Sequence, residues 1–170
     1  MAGTLAVHNV NVLGGSAYTR DDGVAIEVMY VSDGLGHGID ERRWARVRRD
    51  VPLALVEQFP IDDRLAETRA AYRREPPASI ETSVHVDNAG SDEYTIVEVN
   101  AADRIGLLYA ITHVLHSLSL DIHLARVDTV GHEVVDAFYV LHKDGRRLDA
   151  PDDIARLQSR IIEAVRALDA

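Results

Sequence analysis

The sequence predicts an α+β fold in which two related βαββαβ units place helices on one face of antiparallel sheets. Three observations support this fold class. Two stretches of the 170-residue chain match one another at nearly constant spacing. Each stretch contains runs of alternating apolar and polar residues, rich in β-branched side chains, which are typical of strands. Each also ends in a segment whose apolar residues recur every three or four positions, as on one face of a helix.

The internal repeat defines the first unit by comparison with the second. Residues 11–19 match 121–129, residues 26–31 match 135–140, and Trp44, Val47, Val51 and Leu55 match Ile154, Leu157, Ile161 and Val165. Because Met1 aligns with Ile111, the first copy lacks a counterpart of residues 94–110. We therefore expect residues 1–56 to form a truncated first unit, and the chain to be a fragment or a truncated gene product.

The second unit, residues 79–170, gives the clearer pattern. In order it predicts a strand over 94–100, a loop over 101–106, a helix with Leu108, Ile111, Leu115 and Leu118 on one face, strands over 122–129 and 133–142, and a final helix with Asp149 as its N-cap. One more strand would complete the unit. Residues 79–87 alternate and lie just before the first strand. We expect them to supply the last strand of the sheet from that position.

A linker is predicted between the units, over residues 57–78. It contains a polar helix over 61–74, which ends at Glu75-Pro76-Pro77. Pro52 lies inside the preceding helical pattern and is expected to kink or break that helix.

Composition excludes several classes of function. The chain is 46% hydrophobic and 27% charged, as in globular proteins, and its net charge of -10 disfavours binding to nucleic acid or anionic membranes. It has no cysteine, so disulfides and thiolate metal sites are absent. We find no apolar run of the roughly 20 residues that span a membrane, and no signal peptide, so we expect a cytoplasmic protein.

The loop at residues 100–107 is the segment best suited to bind a ligand. Gly106 lies where a strand turns into a helix, which allows close approach to the backbone. The unpaired N–H groups at the start of the helix favour an anion such as an amino-acid carboxylate. The alternative is a tight turn with a solvated ion pair.

Three segments together resemble ACT domains. They are Asp103-Arg104-x-Gly106-Leu107-Leu108, the run from Asp121 to Arg126, and Asp136-Ala137-Phe138-Tyr139-Val140. More narrowly, nearly the whole chain resembles the C-terminal tandem ACT region of bacterial PII-protein uridylyltransferase/uridylyl-removing enzymes. Residues 22–28 and 84–88 support this likeness. The resemblance implies ferredoxin-like ACT modules.

The same resemblance implies glutamine sensing. In ACT domains a small amino acid typically lies between the glycine loop of one module and the second strand of a partner module. Carried over, the ligand-binding residues are Asp103, Arg104, Gly106 and Leu107 facing Asn11 and Val12, with Asp121 and Ile122 in a reciprocal site that lacks its loop. The family usually has proline before the glycine, whereas this chain has Ile105 and so lacks that pre-organised helix start.

The resemblance also implies a regulatory, non-catalytic role in nitrogen regulation. The catalytic domains of the family lie upstream of its ACT region, and PII protein is reached through the parent enzyme. No cofactor is implied. Two alternatives stay open: a ligand-independent ACT module that serves oligomerisation or protein interaction, and the ACT segment of another enzyme of amino-acid metabolism.

Two further patterns in the sequence could indicate a metal site or a dinucleotide-binding loop. His113 and His116 are three residues apart on a predicted helix, but no third metal ligand is evident nearby, so zinc is disfavoured. The glycine-rich segment 34–38 has its third glycine misplaced for a dinucleotide loop and is expected to be a turn.

Overall fold

The computed structural model describes residues 1–20, 22–33, 36–72 and 80–169, and its strands form one continuous antiparallel sheet. The strands are β1 (Asn11–Thr19), β2 (Ala25–Ser32), β3 (Ser83–Asp87), β4 (Thr95–Ala102), β5 (Leu120–Val130) and β6 (Glu133–His142). The helices are α1 (Ala2–Val7), α2 (Glu41–Leu55), α3 (Ile61–Ala71), α4 (Leu107–Ser117) and α5 (Pro151–Arg166), and a 3₁₀ turn follows at Ala167–Asp169. Over these described ranges the strand order is β2-β1-β5-β6-β4-β3.

The second unit has the predicted strand arrangement. Its sheet runs β5-β6-β4-β3, and β3 pairs antiparallel with β4 through Val84 opposite Val99 and Val86 opposite Val97. The segment before the first strand therefore supplies the last strand of the sheet, as the sequence predicts. Of the predicted range 79–87, the strand itself covers Ser83–Asp87.

The main hydrophobic core lies between this sheet and two helices. The strands contribute Val97, Val99, Phe138 and Val140, α4 contributes Ile111 and Leu115, and α5 contributes Leu157 and Ile161. A smaller cluster packs α1 and α2 against the first hairpin, with Leu5, Val10 and Val47 at its centre. By strand alternation both clusters lie on the same face of the sheet, which confirms the α+β class with helices on one face.

The two units join through β1 and β5, which pair antiparallel. Gly14 lies opposite Asp128, and Tyr18 lies opposite Leu124. In the sequence repeat Gly14 corresponds to Leu124, and Tyr18 corresponds to Asp128. Each pair is therefore the repeat-related copy of the other, so the two hairpins are related by a local two-fold axis.

The expected break at Pro52 does not occur. Helix α2 runs through Pro52 and ends at Leu55. Proline removes the hydrogen bond that its own N–H would donate, and its ring crowds the carbonyl four residues earlier, here that of Arg48. Because Pro52 lies three residues from the end of the helix, little of the helix depends on that bond.

Two predicted boundaries change in the structure. The linker helix predicted over 61–74 is helical over Ile61–Ala71, and residues 73–79 lie outside the described ranges. The N-cap of the last helix is Ala150 rather than Asp149, because Pro151 occupies the first helical position.

In the described ranges, none of the helices has the length and apolar content needed to cross a membrane.

A hydrogen-bonded cluster ties the β3–β4 hairpin to the start of α5. The Thr95 hydroxyl donates to Asn88 Oδ1 at 2.7 Å and accepts from the N–H of Leu148 at 2.9 Å. The Asn88 side-chain amide donates in turn to the carbonyl of Leu148 at 2.9 Å. Thr95 is fully buried and Leu148 nearly so, which leaves no water to replace these bonds.

We predict that Thr95→Val lowers the free energy of unfolding by about 1–3 kcal/mol, because the buried N–H of Leu148 loses its acceptor. The matched control is Thr112→Val, since the Thr112 hydroxyl donates to the carbonyls of Leu108 and Tyr109, both within its own helix. Urea unfolding of both variants is the measurement. Equal losses for the two substitutions would contradict this assignment.

Candidate functional site

A small cavity lies between α1 and the loop that follows β4, where the two units meet. Its lining includes six of the predicted ligand-binding residues, which are Asn11, Val12, Asp103, Arg104, Gly106 and Leu107. Its volume is about 50 Å³, which is room for one or two water molecules. The structure thus brings together the loop and the strand start that the sequence predicts to face one another.

Strand pairing explains why these residues meet. Because β1 and β5 are antiparallel, the first residues of β1 lie beside the last residues of β5. The Thr129 hydroxyl donates to the Val12 carbonyl at 3.3 Å across this seam. The loop after β4 is held at the same end of the sheet, since the N–H of Asp103 donates to the His132 carbonyl at 2.8 Å.

The other two predicted residues lie elsewhere. Asp121 and Ile122 are at the opposite end of β5, where the Thr19 hydroxyl donates to the Ile122 carbonyl at 3.0 Å. Ile122 lines a second, mostly apolar cavity of about 280 Å³ that crosses the local two-fold axis. Asp121 is exposed and lines neither of the two cavities.

The start of α4 depends on glycine at position 106. Gly106 is the N-cap of α4 and has φ +90°, a conformation that side chains disfavour. A Cβ there would lie 2.7 Å from Leu65 Cδ2 of α3. Leu65 is almost fully buried. The linker helix therefore packs directly against the loop that the sequence predicts to hold the ligand.

Helices α1, α3 and α4 form a close-packed cluster beside the cavity. A Cβ on Gly3 would lie 2.8 Å from both Ile61 and Tyr109 side-chain atoms. The Tyr109 hydroxyl donates to Asp62 Oδ1 at 3.1 Å, and burial together with this carboxylate raises the pKa of Tyr109 to about 12. Gly3 thus lets α1 pack closely on α3 and α4, and the hydrogen bond joins α3 to α4.

Helix α1 is also anchored to α2 by a charged network. His8 Nε2 and Asp50 Oδ2 are 2.8 Å apart, and Arg49 donates to both carboxyl oxygens of Asp50. Asp50 is only 2% exposed, yet the hydrogen bonds from Arg49 hold its pKa below the ordinary value. Burial lowers the pKa of His8 in spite of its acidic partner.

Asp136 is the residue of the cavity that the sequence predictions missed. It lines the same wall, its side chain is fully buried, and neither oxygen has a hydrogen-bond partner among the described residues. Burial raises the pKa of Asp136 to about 7. The main-chain N–H of Asp128, which is near the carboxyl but outside hydrogen-bonding geometry, offsets this in part, and the carboxylates of Asp103 and Asp128 add to the increase. Asp50 differs from Asp136, because its contacts with His8 and Arg49 compensate for the burial of its carboxylate.

Strand alternation is the sequence signal that could have found Asp136. Val134, Asp136, Phe138 and Val140 share one face of β6, and all four are buried. A carboxyl in the middle of an inward-facing apolar series is costly unless something pairs with it. That pattern alone marks the residue as a functional candidate.

The described residues contain no group of three or more metal-binding side chains, and His113 lies against the ring of Tyr109 at 5.5 Å. Residues 34 and 35 of the glycine-rich segment lie outside the described ranges.

The fold and cavity define a regulatory type of module, and comparison with known proteins agrees. A family described as "ACR9-like, ACT-like domain" matches residues 83–168, which begins at the first residue of β3 and ends beyond α5. The chain belongs to this ACT-like family.

Three bacterial relatives carry the resemblance across the rest of the chain. Each is a bifunctional uridylyltransferase/uridylyl-removing enzyme. The protein of Rhodospirillum rubrum is 33% identical over 97% of the chain, that of Gluconobacter oxydans 33% over 97%, and that of a Bradyrhizobium species 30% over 100%. The chain covers 18% of the length of each relative. These matches confirm the predicted resemblance.

We predict that Asp136 gives stability an unusual pH dependence. Its raised pKa means that the folded state binds a proton more tightly than the unfolded state. The contribution of Asp136 to the free energy of unfolding is therefore full below pH 3.8, the ordinary pKa of the group, and is lost as the pH rises through about 7. Relative to Asp136→Asn, the wild type should lose free energy of unfolding between about pH 4 and pH 8.

Urea unfolding of both proteins across that range measures the difference. The control is Asp144→Asn. Because Arg146 holds the pKa of Asp144 below the ordinary value of 3.8, the contribution of Asp144 changes only below about pH 4, and this variant should follow the wild type across the range. Parallel profiles for the wild type and Asp136→Asn would show that Asp136 is ionised normally.

Proposed function

We propose that this chain is the glutamine-sensing ACT region of a PII-protein uridylyltransferase/uridylyl-removing enzyme, and that it is non-catalytic by itself. The observation that carries the proposal is the meeting of Asp103, Arg104 and Gly106 with Asn11 and Val12 around one cavity. These residues come from separate units and are almost a hundred positions apart in the chain. An amino acid bound there would contact both units, so its affinity would depend on how the two units are joined.

The chemistry of the loop suits a carboxylate. The N–H of Leu107 donates to the Arg104 carbonyl at 3.0 Å, whereas those of Leu108 and Tyr109 in the first turn of α4 have no acceptor within the helix. The helix dipole is positive at that end. No side chain of the N-cap residue competes for these N–H groups, since the N-cap is Gly106. Arg104 also lines the cavity and carries a positive charge, and its guanidinium donates to the Ala102 carbonyl at 3.2 Å.

The cavity is smaller than an amino acid, so binding requires it to open. We propose that α1 and α3 move away from the loop when the ligand enters. The apparent affinity is then reduced by the fraction of molecules that are closed. The same coupling gives a regulatory signal, because α3 links the two units and contacts Gly106 directly through Leu65.

The proposed setting follows from the relatives. Their name joins uridylyl transfer and uridylyl removal in one protein, and this chain corresponds to 18% of their length. We propose that the chain acts beside the catalytic domains of such an enzyme in the cytoplasm. PII protein would be its indirect partner, and nitrogen metabolism the process regulated.

A ligand-independent interaction module is the second candidate, and one observation favours it. No described strand pairs with the outer edge of β2, and Val28 and Tyr30 on that strand are 54% and 71% exposed. Unpaired apolar edges favour pairing between chains. If this module acts only by association, light scattering should give a dimer mass at micromolar concentration; a monomer would count against it.

We predict that glutamine at ten times its dissociation constant raises the melting temperature by roughly 3–6 °C, since it adds about 1.4 kcal/mol of stability. Gly106→Ala should abolish the shift, because a Cβ strains the helix start and meets Leu65. Gly145→Ala is the matched control: its φ is +82° but no atom lies within 4 Å of the added Cβ.

Differential scanning calorimetry with each amino acid in turn makes the measurement. A shift with glutamine alone in the wild type and Gly145→Ala supports the proposal. A shift with a different amino acid would instead support the ACT segment of another enzyme. A cooperative transition that no amino acid shifts would reject sensing.

A further inference from the structure

We propose that the Asp136 carboxylate accepts the α-ammonium group of the bound amino acid. This inference rests on the proposed function and adds one more residue from the lining of the same cavity. Asp136 comes from β6, in the middle of the sheet, whereas the predicted ligand-binding residues come from the loop and from β1.

Burial without a partner is the first argument. A buried carboxylate is destabilising by several kcal/mol unless hydrogen bonds or an opposite charge compensate it. Asp50 in this same chain has such compensation from Arg49 and His8. Asp136 has neither oxygen hydrogen-bonded by the described residues, and both oxygens belong to a side chain that lines the cavity. A group entering the cavity is positioned to supply the missing bond.

The sign of the surrounding charge is the second argument. Asp103 and Asp128 both raise the pKa of Asp136, so the surroundings of Asp136 are acidic. The loop side carries Arg104 and the positive end of α4. A cavity with one acidic wall and one basic wall is complementary to a zwitterion. Its carboxylate would face the helix start, and its ammonium would face Asp136.

A water molecule is the competing occupant of the cavity. It differs from an ammonium group in charge, and this difference can be tested. Water would hydrogen-bond Asp136 without neutralising it, whereas an ammonium would favour the ionised carboxyl. Below about pH 7 the empty site holds a proton on Asp136, so ammonium binding must release it. Affinity should therefore weaken as the pH falls. The neighbouring charges of Asp103, Asp128 and Arg104 set the midpoint of this change.

Isothermal titration of the full chain with glutamine tests the inference at pH 8. Asp136→Asn should weaken binding roughly 10- to 100-fold, the range for a hydrogen bond to a charged group. The matched control is Asp144→Asn, the same substitution in an exposed turn outside the cavity lining. It should bind glutamine within about threefold of the wild type, a difference of less than 1 kcal/mol.

A ligand variant identifies the group that Asp136 contacts. Glutaramic acid is glutamine without its α-amino group. It should bind the wild type and Asp136→Asn equally, because the contact is already lost on the ligand side. If Asp136→Asn weakens glutaramic acid as much as glutamine, Asp136 serves the carboxamide or the fold, and the assignment to the ammonium is wrong.

The wild type alone supplies an independent check. Its dissociation constant for glutamine should rise about tenfold between pH 8 and pH 6, with proton release shown by titrating in two buffers of different ionisation enthalpy. A pH-independent constant, with Asp136→Asn binding normally, overturns this inference and leaves the sensor proposal standing. No binding of any amino acid by the folded wild type overturns both.

Discussion

The antiparallel pairing of β1 with β5 is the constraint on which the rest of the structure depends. It joins two units that would otherwise have separate sheets, and its register places the start of β1 beside the loop after β4. A one-residue slip would turn every side chain of β1 to the other face. Ala17, opposite Ala125, would then leave the helix-covered face, and Val12 would leave the cavity. Core and candidate site therefore depend on the same register.

The helix cluster adds a second constraint, which controls access to the cavity. Gly3 and Gly106 allow α1, α3 and α4 to approach one another without Cβ atoms between them. Close packing of this kind tends to have discrete arrangements rather than a continuous range, because interiors are packed like crystals. Ligand entry would therefore select an open arrangement, and α3 would carry the change towards both units.

The sequence predicted local structure better than it predicted contacts. Strand 133–142 matches β6 residue for residue, since alternation over ten residues and glycine turns on both sides leave little freedom. The edge strand β3 could be placed because only an adjacent segment could complete the sheet. Leu65 against Gly106 could not be predicted, because the pattern of the linker helix is too polar to show which side is buried. The expected break at Pro52 was wrong because Pro52 lies in the last turn of α2, where few hydrogen bonds depend on it.

Asp136 and the closed helix cluster have opposite effects on the empty protein. The buried carboxyl destabilises the closed state, whereas packing of Leu65 on Gly106 stabilises it. An entering zwitterion would weaken the packing and satisfy the carboxyl in one event. The affinity then depends on the difference between the free energy of the packing and that of the buried carboxyl, and not on either interaction alone. Such a balance lets substitutions at α3, remote from the ligand, tune the concentration at which the site responds. It also explains why a residue that lowers stability near neutral pH would be retained in a core position of β6.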